Sequence, residues 1–143
     1  MNTVRPITRE HFIKRLGELC LRSGLSGLPK NETDQQILLK SAVLMLDRSG
    51  SFTEQEINVK LGAWVRNVSQ IKELDHVSLR RQLVDTGYLK RDPDGSRYWV
   101  AVPGPEPDLF EEAVDGLDIP AVIEALREEI ARRKKEHLQK SGG

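Results

Sequence analysis

A single cysteine, Cys20, stands in a chain of 143 residues, so an intramolecular disulfide framework is excluded. No apolar run approaches the roughly 18 residues that a membrane-crossing helix needs. The opening stretch, MNTVRPITREHF, lacks the apolar centre of a secretion signal, and the cytoplasm is the expected location. The histidines His11, His76 and His137 are scattered, no Cys/His pair has metal-ligand spacing, and no glycine-rich phosphate loop occurs. No metal, cofactor or catalytic residue is therefore expected, and an enzyme is the least supported class. Neither sign of charge dominates, with 22 Lys and Arg against 22 Asp and Glu, which weakens any case for strong non-specific attraction to nucleic acid.

What the chain does have is uneven charge. Residues 1–30 carry six basic and two acidic side chains, and residues 60–100 carry eight against five. Residues 101–131 reverse this with nine acidic and one basic, before a basic end of five against one in residues 132–143. Hydrophobic residues at 38% and this length suit one principal core with appendages. We expect an N-terminal helical extension (1–27), a central domain (28–102), and a proline-rich linker, acidic segment and amphipathic helix (103–143).

The central domain is organised around DHVSLRRQLVDTGYLKRDPDGSRYWV, Asp75 to Val100. At about 100° per residue, Val77, Leu79, Leu83 and Val84 fall on one side of a helix, while Ser78, Arg81, Gln82 and Asp85 fall on the other. Asp75 is placed to cap its start, and Gly87 to take the left-handed conformation at its end. Arg80 falls among the apolar positions and reads as a partly buried arginine held by a carboxylate, with Asp75, Glu54 or Glu56 as candidates. Arg81, with Ser78 and Gln82 beside it, reads as a base or phosphate contact, the alternative being a solvated helix face. Pro93-Asp94-Gly95 then marks a turn between two short strands. Its basic side chains Lys90, Arg91 and Arg97 lie where a wing follows a phosphate backbone. Tyr98 and Trp99 are expected to pack against the helices.

Elsewhere, Thr8 caps a helix carrying Phe12, Leu16, Leu19 and Cys20 on one face, and Cys20 reads as a small buried hydrophobe. A broadly apolar helix is expected from Glu32 to Asp47. Thr53 and Glu56 form a capping box, with Phe52 and Ile57 at staple spacing, so a helix starts at Glu54. The ten residues Val65 to Leu74 before the next helix exceed the three or four of a helix-turn-helix, so either the helix extends past Trp64 or the loop makes an excursion. A short acidic helix is expected at Asp108 to Val114, and a last helix from Pro120. Ile119, Val122, Ile123, Leu126 and Ile130 form its apolar stripe, which packs on the body or on a second copy as a homodimer contact.

Together FTEQEIN, DHVSLRRQLVDTGYLKR and GSRYW, with Leu61 between, resemble the bacterial domain-of-unknown-function family 2087 over about Leu28 to Val100. The resemblance implies a small winged-helix-like domain, sometimes joined to transcription-regulator domains, and no catalytic residues. The expected fold is thus mainly α (α+β), a winged-helix-like helix bundle with a small β-hairpin wing and extra terminal helices. The expected function is a DNA-binding bacterial transcriptional regulator. The alternative is a winged-helix module that binds protein instead; occlusion of the polar helix face by the acidic segment would favour it.

Overall fold

The computed structural model describes residues 5–141, and for the last two of these the backbone alone. Its elements are α1 (Arg9–Gly17), α2 (Glu32–Val43), α3 (Glu54–Trp64), α4 (His76–Asp85), β1 (Leu89–Arg91), β2 (Tyr98–Val100) and α5 (Ile119–Ser141). Single π-helical turns extend α1 over Glu18–Arg22 and α3 over Val65–Ser69, and a 3₁₀ turn covers Glu112–Gly116.

Local chemistry sets most boundaries. The Thr8 hydroxyl accepts from the His11 N–H at 3.1 Å, and the Asn31 side chain accepts from the Asp34 N–H. The capping box at α3 is complete: Thr53 Oγ1 accepts from the Glu56 N–H at 3.1 Å, and Glu56 Oε1 accepts from the Thr53 N–H at 2.9 Å. Helix α4 ends in a Schellman motif, with Tyr88 N–H donating to the Leu83 carbonyl and Gly87 N–H to that of Val84. Gly87 sits at φ +88°, which a side chain resists.

β1 and β2 pair antiparallel, Leu89 with Val100, Lys90 with Trp99 and Arg91 with Tyr98. Phe52, just before α3, adds a third rung through two 2.8 Å bonds with Tyr98. The order helix, one-residue strand, helix, helix, strand, strand from α2 to β2 is that of a winged-helix-like fold. In the wing turn, Gly95 N–H donates to the Asp92 carbonyl and takes φ +74°, as the Pro-Asp-Gly sequence requires.

One core joins all three expected segments. Phe12 and Leu16 of α1, Ile37 to Leu39 of α2, Ile57, Leu61 and Trp64 of α3, Leu79 and Leu83 of α4, and Ile119 and Ile123 of α5 are all buried together. The Trp64 indole donates to Ser41 Oγ at 2.9 Å, and Ser41 passes its own proton to the Leu38 carbonyl at 2.7 Å, so the buried polar atoms are satisfied. Arg15 of α1 grips Asp34 of α2 with two bonds of 2.8 and 2.9 Å, and this pairing holds the Asp34 carboxyl below its usual range. Cys20 is buried as expected, and burial pushes its thiol up to about 12.

Three expectations are corrected, and one choice left open is decided. Helix α2 stops at Val43 instead of reaching Asp47, because the chain tightens into successive i to i−3 bonds at Met45 and Leu46. Of the two alternatives for the connection before α4, the helix extends past Trp64: the π turn carries α3 to Ser69, and the chain reverses through Gln70, at φ +52°, to the Asp75 cap. The acidic segment forms no α-helix over Asp108 to Val114; a turn closes from Glu106 to Leu109, and a 3₁₀ turn covers Glu112–Gly116. Helix α5 begins one residue earlier than Pro120, with the Asp118 carboxylate accepting from the Ala121 N–H. Among the described residues, no helix is long and apolar enough to cross a membrane.

Candidate nucleic-acid interface

Helix α4 buries Leu79 and Leu83 against α3 and the hairpin and turns its other side outward. The Asp75 carboxylate is held by the Ser78 backbone N–H at 2.7 Å, which lowers its pKa. Asp75 is therefore a cap, and it is not the carboxylate that holds Arg80. That role falls to Glu54, 3.3 Å away, together with a short hydrogen bond from the Arg80 guanidinium to Asn58 Oδ1. The same guanidinium lies 5.6 Å over the Tyr98 ring. Arg80 thus ties α4 to α3 and to β2. The partner was chosen by tertiary packing: Glu54 and Asn58 share one turn of α3 facing α4.

Of the sequence-predicted contact residues, Ser78, Arg81, Lys90, Arg91 and Arg97 are exposed and Gln82 is half-buried. Val77, expected on the core side, is 41% exposed. It sits at the first turn, where the helix begins beyond the edge of the core, and it adds an apolar contact next to Ser78 that the wheel assigned elsewhere. The acidic Asp85 shares the outward face.

The structure divides the basic residues into two groups. Arg81 and Arg91 come together with Arg80 around a cleft of about 300 Å³ between α4 and the hairpin, lined also by Val84, Asp85 and Tyr98. Lys90 stands on the opposite face of the ribbon beside its cross-strand neighbour Trp99. Trp99 is half-buried there, and Tyr98 is the aromatic that enters the core. Arg97 lies at the turn end of the hairpin, where its carbonyl accepts from the Asp92 N–H, and within electrostatic reach of Glu56 at the start of α3. Among the described residues, Arg81, Lys90, Arg91 and Arg97 have no carboxylate within the 4.0 Å of an ion pair.

The acidic segment lies elsewhere. Its Pro105 passes Gly87 at the C-terminal end of α4, and Asp115 then pairs with Lys40 at 2.7 Å and Arg48 at 3.7 Å beside α2. Ile7 N–H donates to the Leu109 carbonyl and Glu111 N–H to that of Ile7, while Phe110 packs edge-on against Phe12. The stripe of α5 is also divided. Ile119 and Ile123 are 0% and 1% exposed in the chain's own core, so they are not free for a second copy. Val122, Leu126 and Ile130 remain half-buried.

A family model described as "Uncharacterized protein conserved in bacteria (DUF2087)" matches residues 24–100, the span that holds α2 to β2. The chain belongs to this family. No curated protein and no solved structure matches the chain. The family segment includes every residue of the interface described above, and α1 and α5 lie outside it.

Proposed function

We propose that the chain binds duplex DNA through the outward face of α4 and the basic hairpin, as a bacterial transcriptional regulator. The observation that carries this reading is the set of exposed cations on α4 and the hairpin that the chain leaves without carboxylate partners. Such cations have no ion pair to break before they meet a phosphate, and neutralising phosphates releases condensed counterions. Ser78 is the residue placed for a groove edge and Arg81 for a base or phosphate contact, with Gln82 behind them and Val77 offering an apolar contact for a thymine methyl group. Lys90, Arg91 and Arg97 serve the backbone. The open state of the α4 face supports the reading further, because the acidic segment is engaged with α2. The test is fluorescence anisotropy of the full chain with mixed-sequence duplex across a salt series, with Arg81→Ala alongside. Binding that weakens with salt, and weakens again on substitution, supports it; no binding at low salt removes it.

A second reading is a protein-interaction module that pairs with a second copy of itself. It draws on Val122, Leu126 and Ile130, half-buried on α5, and on the groove that Leu126 and Ile130 form with Ile13 and Gly17 of α1. Sedimentation equilibrium tests it: a monomer at high micromolar concentration excludes this use of the groove.

A further inference from the structure

The cleft between α4 and the hairpin differs from the rest of the basic surface in being built. Its floor is Arg80, whose side chain is only 17% exposed and whose guanidinium is fixed by Glu54, Asn58 and the Tyr98 ring. Its walls are Arg81, one position along the helix, and Arg91, on the first strand. The Arg91 Nη1 lies beside the wing turn, 3.5 Å from where a side chain on Gly95 would begin. Three guanidiniums thus line one recess with Asp85 as the single carboxylate in the lining, and neither Arg81 nor Arg91 forms an ion pair among the described residues.

We infer that this cleft is a phosphate site, in which Arg81 and Arg91 close on the oxygens of one phosphate group and Arg80 forms a fixed cationic floor. The planar fork of arginine presents two parallel N–H donors that match two phosphate oxygens, which lysine does not. A recess with apolar sides at Val84 and Tyr98 excludes part of the water that would screen those contacts. Glu54 offsets the charge of Arg80 alone, so the recess keeps the positive charge of its two walls against Asp85. The inference deepens the proposed DNA reading by giving one backbone phosphate a defined seat. The same chemistry is offered by the phosphate of a free nucleotide, and the experiment separates the two sources.

The full chain, isotopically labelled to show arginine side-chain N–H signals, is titrated with thymidine 5′-monophosphate and separately with a mixed-sequence duplex. Signals are assigned with Arg80→Lys, Arg81→Ala, Arg91→Ala and Arg97→Ala. We expect the Arg80, Arg81 and Arg91 signals to move together and saturate with one dissociation constant, while Arg48, past the end of α2 and paired with Asp115, stays still. Arg91→Ala should weaken binding about tenfold, the value of one charge-assisted hydrogen bond; its side chain is exposed, so its loss leaves the fold intact. Saturation by the duplex alone supports the cleft with a backbone phosphate. Saturation by the nucleotide, with no duplex binding, supports the cleft with a free phosphate ester and removes the DNA reading. Duplex binding that Arg91→Ala and Arg81→Ala leave unchanged overturns the cleft and leaves the DNA reading standing. Shifts spread over all surface arginines without saturation, the same in chloride as in phosphate, also overturn it.

Discussion

Arg80→Ala is expected to destabilise the fold by about 3 kcal/mol, and the structure says where the loss arises. The hydrogen bond to Asn58 Oδ1 is charge-assisted and shielded, and bonds of that kind contribute about 1.5–3 kcal/mol. The contact with the Tyr98 ring adds roughly 0.5–1 kcal/mol. The Glu54 pair adds under about 1 kcal/mol, because the Glu54 side chain is 58% exposed and water screens the attraction. The neutral-atom partner therefore outweighs the formal ion pair. Urea unfolding of Glu54→Gln, Asn58→Ala, Arg80→Ala and the two double variants measures this directly. The Asn58–Arg80 coupling should exceed the Glu54–Arg80 coupling, and the midpoint temperature of Arg80→Ala should fall by about 6–12 °C at the usual 2–4 °C per kcal/mol for a chain of this size. A loss under about 1 kcal/mol, or a Glu54→Gln loss equal to that of Arg80→Ala, would refute the assignment of Arg80 as the tie between α3, α4 and β2.

Ser41→Ala should cost about 1–3 kcal/mol in urea, because it leaves the Trp64 indole N–H without an acceptor inside the core; a loss below half of that range would mean the indole finds another partner. Gly87→Ala should cost about 1 kcal/mol, read by thermal unfolding, since φ +88° strains any side chain and Pro105 crowds the new Cβ at 3.4 Å. For Asp34, the folded pKa lies below the unfolded value, so its contribution is fully present above about pH 4 and is lost as pH falls through the folded value. Comparing urea midpoints at pH 7 and pH 3, Arg15→Met should therefore lose less on acidification than the wild type. In the DNA series, Lys90→Ala and Arg97→Ala should each flatten the dependence of log affinity on log salt by about 0.9, as expected for one phosphate each.

The parts of the fold that could be read from the chain are those fixed within a few residues. The Thr53–Glu56 box, the Asp75 cap, the Gly87 stop and the Pro93-Asp94-Gly95 turn each carry their own hydrogen-bond acceptors or backbone freedom, and each lies where it was expected. What escaped depended on contacts far along the chain. A helix wheel gives the apolar side of α5 and does not say which surface covers it, so Ile119 and Ile123 could not be assigned to the body in advance. Arg80 announced a partner without choosing it, because Asn58 and Glu54 become equivalent neighbours only after α3 and α4 cross. The single rung at Phe52 is too short to leave a strand pattern. On the candidate interface, the exposure of Ser78, Arg81, Lys90, Arg91 and Arg97 was legible from periodicity and turn chemistry. Their division into a recess and an open face was not, because it follows from where the hairpin folds back along α4.

With Ile7 bonded to Leu109 and to Glu111, and Phe110 set against Phe12, the segments on either side of the family stretch meet as a clasp. The stretch that carries the family match is consequently no portable cassette here. Cut at residues 24 and 100, it would leave behind Phe12 and Leu16 of α1, which packs on α2, and that part of α2 would face water. Any protein that houses this stretch without such a clasp must cover the same side of α2 in another way.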